Sequence, residues 1–184
     1  MTHPQRPAAL LVVLSLIVSS PLFACACGAP QSIDKALKGS TVVFTGLVVK
    51  IEYFGLGETM IADSVPIARS LAPHAAKNFL DVPMVLKATL LVTNEFKGVK
   101  KNDTIVVYTG IRGATCGYKF EMNKEYIVYG TTDSYMYMFL YVNRNRFRNF
   151  TKKGIYWTSI CSRTTVAVGR EQGLLNEHLK KGEK

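Results

Sequence analysis

The sequence predicts a mostly β domain with flanking helices, built as a small closed or partly open barrel of five strands. Three observations point there. Five runs are rich in β-branched and aromatic residues, and turn signals separate them. Behind an N-terminal export signal, one domain's worth of chain remains.

Residues 1–24 read as a secretory signal. Arg6 gives the positive end, Ala8 to Val18 the apolar stretch, and Ser19-Ser20-Pro21 the break before Leu22-Phe23-Ala24. The apolar run is shorter than the roughly 20 residues of a spanning helix. No later segment approaches that length, so no transmembrane segment is expected and the chain is expected to be secreted, extracellular or periplasmic. Leu22-Phe23-Ala24-Cys25 also resembles a bacterial lipobox, which would lipidate Cys25 and anchor the chain to the cell envelope. Phe23 is bulky for that motif, and lipidation would consume one of the four cysteine sulfurs. Removing residues 1–24 from the 184 leaves 160, expected to be one domain over 25–184.

In chain order, Ser32 to Leu37 reads as one or two helical turns capped by Ser32. Thr41 to Tyr53 is a long β-branched first strand. Residues 55–83 look irregular, punctuated by Gly55, Gly57, Pro66, Pro73 and Pro83, with a short helix expected within Arg69 to Phe79. That length makes the insertion a functional-loop candidate, the plain alternative being a lineage-specific decoration. The second strand lies within Met84 to Phe96 and the third over Thr104 to Thr109. Glu125 to Gly130 alternates polar and apolar residues poorly, so it is expected to be buried on both faces. Met136 to Val142 is the expected fifth strand. Lys97-Gly98, Lys101-Asn102-Asp103, Asn123-Lys124 and Thr132-Asp133 are the turns. Thr165 to Lys181 carries Leu174, Leu175 and Leu179 at helical spacing, with Lys180-Lys181 suiting the helix C-terminus. Gly169 and Gly173 weaken its first half.

The formal net charge is +10, and about +9 without Arg6. Such a surface favours anionic polysaccharide, phospholipid headgroups or an acidic protein, or serves solubility alone. Nucleic acid is not expected for an exported chain. The stretch Arg144 to Lys153 interleaves five cations, Arg144, Arg146, Arg148, Lys152 and Lys153, with Phe147 and Phe150. It reads as a polyanion grip, or as an edge strand kept from aggregating by its charges.

Four cysteines, Cys25, Cys27, Cys116 and Cys161, suit two disulfides in an oxidising compartment. A bridge between i and i+2 is geometrically poor, so Cys25 and Cys27 are each expected to reach a distant partner. A Cys-x-Cys zinc or copper site is the other reading, with only His74 and His178 left in the domain to support it. No HExxH, GxSxG or phosphate loop occurs, and neither histidine has an evident carboxylate or nucleophile beside it, so an enzyme is not expected. Asn102-Asp103-Thr104 and Asn149-Phe150-Thr151 match the glycosylation sequon, which matters only in a eukaryotic secretory pathway.

Six stretches line up in order with one family. They are Cys25-Ala26-Cys27 at the expected cleavage point, then Val42-Val43-Phe44-Thr45-Gly46-Leu47-Val48. Phe96-Lys97-Gly98 and Thr115-Cys116-Gly117-Tyr118 follow, and last come Lys124 to Gly130 with Thr158 to Thr164. The chain resembles the N-terminal domain of tissue inhibitors of metalloproteinases, within the netrin-like domain superfamily. The likeness covers nearly all of residues 25–184 and implies a five-stranded OB-type barrel with flanking helices.

The resemblance implies Cys25–Cys116 and Cys27–Cys161 bridges. It implies that the α-amine and carbonyl oxygen of Cys25 bind the catalytic zinc of a target metalloprotease. Ala26 would point toward the primary specificity pocket. Cys27, Gly28, Ala29 and Pro30 would extend along the cleft, and Ala114 and Thr115 would form a neighbouring ridge. The partner is then a zinc metalloprotease, and the only metal is the target's zinc, with no cofactor of the chain's own.

A free α-amine has an unperturbed pKa of roughly 7.7–8.0, so its lone pair is available near neutral pH. Catalytic zinc keeps a water-occupied position open, and displacing that water removes the hydrolytic nucleophile. Three departures stand out. Ala26 replaces the family's common Ser or Thr, the third disulfide is missing, and no second cysteine-rich domain follows. The chain thus resembles a minimal member, compatible with a bacterial source. The alternative function is a non-inhibitory netrin-like module for polyanions or envelope and matrix partners.

Overall fold

The computed structural model describes residues 25, 27–111, 115–140, 151–166 and 168–182. The chain is mostly β with flanking helices. Helix α1, Ile33–Gly39, starts at N-cap Ser32, whose hydroxyl accepts from the Lys35 amide at 3.3 Å. Its last turn is closed by the Lys97 ammonium, which donates to the Leu37 and Ser40 carbonyls at 2.6 Å each. A cation there meets carbonyls that have no intrahelical partner.

Five strands form one sheet: β1 Val42–Phe54, β2 Val85–Lys97, β3 Thr104–Gly110, β4 Glu125–Gly130 and β5 Tyr156–Trp157. Their order is β4-β1-β2-β3-β5, with β3 and β5 parallel and the other pairs antiparallel. The turns carry the expected chemistry: Gly98, Asn102 and Asn123 all have positive φ, at 72°, 71° and 59°.

Strand β1 pairs with β4 along its first half and with β2 along nearly all of it. Register shifts at Val43/Phe44, Thr45/Gly46 and Val48/Lys50 curl it between the two partners. Just past β4, Thr131 and Trp157 exchange two backbone hydrogen bonds, of 3.0 and 2.7 Å. That single bridge touches the two edge strands together without a continuous ladder.

The pleat sorts the core. Val42, Phe44 and Val48 of β1 pack with Leu86, Ala88, Leu90 and Val92 of β2 and with Tyr126 and Val128 of β4. The opposite face of β1 and β4, with Val43, Ile127 and Tyr129, is covered by Ala36 of α1 and Leu175 of helix α4, Val168–Gly182. Strand β4 is therefore buried on both faces, as its poor alternation predicts. In α4, Leu175 alone of the three expected leucines is fully buried, while Leu174 and Leu179 are more than a third exposed. A Cβ at Gly169 or Gly173 would meet nothing within 4 Å, so both glycines lie on the open side of the helix.

Two expectations are corrected. Of the expected fifth strand, Met136 to Leu140 lie in a 3-10 helix, Tyr135–Leu140, and Tyr141 and Val142 lie outside the described residues. The run has no polar residue, so it carries neither period. Burial decides: Met136, Tyr137 and Leu140 enter one cluster with Met60 and Trp157. The Tyr135 and Tyr137 hydroxyls meanwhile accept from the Gly110 amide and the Thr151 hydroxyl, at 2.7 and 2.9 Å. The fifth strand is instead the two-residue β5, too short to register as a run.

The insertion 55–83 is not irregular. It holds a 3-10 turn Leu56–Thr59, α2 Ser64–Leu71, α3 His74–Lys77 and a second turn Asn78–Leu80. Pro66 sits in the first turn of α2, where its missing N–H costs no intrahelical bond. Leu56, Met60, Ala68, Ala72, Ala76 and Leu80 are all buried, in the same cluster as Trp157. The insertion is therefore part of the core. Gly55 is what lets it dock, since a Cβ there would lie 2.2 Å from the Leu80 carbonyl oxygen. Arg69 closes it with two bonds of 2.7 Å to the Asp81 carboxylate, which sits below the usual carboxylate range because of that contact.

Candidate functional site

The expected site residues converge from three parts of the chain. Cys25 is bonded to Cys116, and Cys27 to Cys161, with Cα separations of 5.4 and 5.1 Å. These are the pairs that the resemblance implies, closing 91 and 134 residues of chain. All four sulfurs are thereby engaged, leaving no thiolate for a Cys-x-Cys metal site. Among the described residues, no group of three or more His, Cys, Asp or Glu could hold a metal ion.

The two bridges meet through backbone. The Ile160 amide donates to the Cys116 carbonyl at 3.0 Å, one residue before Cys161. Cys116 itself adopts a left-handed conformation, φ 54°, uncommon for a residue with a Cβ. The loop around it is tight: a Cβ at Gly117 would lie 1.6 Å from the Gly110 carbonyl oxygen. The Tyr118 amide donates to Thr109 Oγ1 at 2.8 Å, holding the loop to the end of β3. Burial pushes the Tyr118 phenol up to about 12, with the neighbouring Tyr126 adding to the shift.

Cys27, Gly28, Ala29 and Pro30 are exposed, and Cys25 is half-buried. Thr115 lies next to Cys116 but is only 2% exposed, and its hydroxyl donates to the Ile111 carbonyl. Ala26 and Ala114 lie outside the described residues, as does the signal stretch 1–24.

Of the basic stretch, Arg144, Arg146 and Arg148 also lie outside the described residues. Lys153 is exposed. Lys152 is exposed too, but its ammonium donates to the Glu58 carbonyl at 2.7 Å and its amide to the Thr59 carbonyl at 3.0 Å. It closes one side of a groove of about 530 Å³ that the insertion forms with Tyr53 and Phe54. Of the two histidines, His178 faces Asp34 of α1 at 3.7 Å, and His74 opens α3.

Sequence reasoning missed the residues that hold the segment's far end. Arg163, two residues past Cys161, donates from Nη1 to the Gln31 carbonyl at 2.7 Å. Its Nε and Nη2 both reach the Glu171 carboxylate, the second at 2.9 Å. Tyr129 of β4 also donates to Glu171, at 2.6 Å. Glu171 is 6% exposed, and Arg163 is held charged above its ordinary range by that carboxylate. Burial and the same carboxylate keep the Tyr129 phenol protonated well above its ordinary range.

A signal did exist. Val168, Glu171 and Leu175 fall at i, i+3 and i+7 of one helix. A carboxylate inside the buried stripe of an amphipathic helix needs a partner.

Among the described residues, no helix is long and apolar enough to cross a membrane. No family model and no curated protein matches the chain.

Proposed function

We propose that the chain is a secreted, netrin-like inhibitor of zinc metalloendopeptidases, built on an OB-type barrel and acting through a free N-terminal Cys25. The observation that carries this reading is the pair of disulfides. They hold Cys25 and Cys27 to the Cys116 loop and the Cys161 turn, while Cys27 to Pro30 stay exposed. A short segment fixed at two covalent points loses little freedom on entering a cleft, which favours affinity.

With both sulfurs bonded, the α-amine and carbonyl oxygen of Cys25 are the atoms left to chelate the target's zinc. Chelation displaces the metal-bound water and with it the nucleophile of hydrolysis. Ala26 enters the primary specificity pocket with little to fill it. Gly28, Ala29 and Pro30 follow the cleft and Ala114 flanks it, while the buried Thr115 supports that flank from behind. The chain contributes no cofactor to this scheme.

The barrel reading draws support from the bulged β1 and from the bridge between Thr131 and Trp157. Five strands whose edges meet at one bridge suit a partly open barrel. The disulfides suit an oxidising compartment. A Cys25 sulfur bonded to Cys116 is not free to form a lipid thioether, which favours release over anchoring.

The test is the intact mass of the secreted protein, with peptide sequencing of its N-terminus. An unmodified Cys25 as first residue is expected. A lipidated, acetylated or extended terminus removes the chelating amine and overturns the scheme.

A further inference from the structure

We propose that Arg163 is a positioning residue: its guanidinium fixes the far end of the exposed segment, so that Cys27 to Pro30 span two held points. The proposal rests on the reading of that segment as the target-binding edge. The near end is covalent, through Cys27–Cys161. The far end is the bond of 2.7 Å from Arg163 Nη1 to the Gln31 carbonyl. Among the described residues, Cys27, Gly28, Ala29 and Pro30 make no hydrogen bond between those points.

Both holders come from one turn. The Ser162 amide and hydroxyl donate to the Ser159 carbonyl at 3.1 and 2.7 Å, and Ser162 Oγ lies 2.7 Å from Thr158 Oγ1. The turn is therefore stiff across Cys161 and Arg163 together.

The guanidinium is aimed by what lies behind it. A planar fork with two N–H groups on one carboxylate has a single orientation, and its third direction is then fixed in space. Glu171 supplies that carboxylate from α4, and Tyr129 holds it from β4. The order of the exposed edge thus depends on Glu171, a buried carboxylate from the last helix. A lysine at 163 would keep a cation beside Glu171 but has no rigid fork to reach Gln31 as well.

The experiment compares the oxidised wild-type protein with Arg163→Lys and Arg163→Met, each 15N-labelled. It reads the heteronuclear NOE of the Cys27, Gly28, Ala29 and Gln31 amides beside the melting temperature. In Arg163→Lys these NOE values are expected to fall while those of β1, β2 and β4 hold and the melting temperature stays near wild type. Arg163→Met lowers both.

A purely structural role makes segment order and stability fall together; that joint fall in Arg163→Lys, or unchanged NOE values, overturns the proposal. This readout does not require inhibition, so a wild type that inhibits nothing would fail the functional reading alone. Where wild type does inhibit, Arg163→Lys is expected to weaken it about tenfold, the loss of one charge-assisted hydrogen bond.

Discussion

Cys27 to Pro30 lie exposed along the outside of the fold, whereas Leu56, Met60, Ala68, Ala72, Ala76 and Leu80 of the insertion are all buried. The first region is held by two long-range disulfides and one guanidinium. The second is held mainly by apolar burial around Trp157, with the exposed Arg69–Asp81 pair closing it. A segment that enters another protein's cleft, the role proposed for Cys27 to Pro30, keeps its surface free, so its order must come from bonds rather than packing. A segment that completes a core draws most of its order from packing.

That contrast can be broken by removing each kind of support. Replacing Cys27 and Cys161 together by serine is expected to cost about 5 kcal/mol in the chain-entropy model, given the long loop the bridge closes. The loss acts mainly through the unfolded chain, so the denaturant slope should rise as that chain expands. Leu56→Ala is expected to cost about 2–5 kcal/mol with an unchanged slope, because it leaves a cavity in the folded state. Urea titrations of both variants decide the matter. A loss below about 0.5 kcal/mol for Leu56→Ala would contradict the insertion's place in the core.

Two glycines sharpen the comparison. A Cβ at Gly55 would strike the Leu80 carbonyl, while one at Gly28 would meet nothing within 4 Å. Gly55→Ala should therefore destabilise by about 1–3 kcal/mol through overpacking. Gly28→Ala should instead stabilise by about 0.4–1 kcal/mol, by restricting the unfolded chain. Thermal melts showing the opposite ranking would contradict the placement of both segments.

How far these regions were legible in the sequence follows from the same physics. Four strands announced themselves because β-branched runs ended at Gly98, Asn102 and Asn123, residues that tolerate positive φ. The Ser32 cap was equally local. Met136 to Leu140 misled because an all-apolar run has no period, and only the place left beside Met60 and Trp157 selects the turn. The insertion is illegible because Pro and Gly read as breaks in structure, whereas Pro66 begins a helix and Gly55 permits a close contact. Arg163 stayed hidden because its partners, Gln31 and Glu171, come from distant or differently structured stretches that only the fold brings together.

The smallest effect concerns pH at the Cys116 loop. The folded Tyr118 phenol titrates at about 12, above its ordinary value of roughly 10. A raised value means the folded protein holds this proton more tightly than the unfolded chain does. Its stabilising contribution is complete below the unfolded value and is lost as pH rises toward the folded one. Stability should therefore decline above about pH 10, and Tyr118→Phe should make that decline shallower. An identical slope in the variant would mean that Tyr118 is not partly buried against the β-sheet core.

The central claim is that a free Cys25 amine, held rigid by the disulfides, is what stops a zinc endopeptidase. Its most direct test is inhibition by the chain beginning at Cys25, compared with the same chain carrying one added alanine before Cys25. Circular dichroism and a non-reducing peptide map would establish that both fold alike with Cys25–Cys116 and Cys27–Cys161 bridges. The account predicts inhibition by the first and at least a roughly tenfold loss in the second, since even outer-shell changes at a metal site cost about 10–100-fold. Equal potency of the two chains would contradict it.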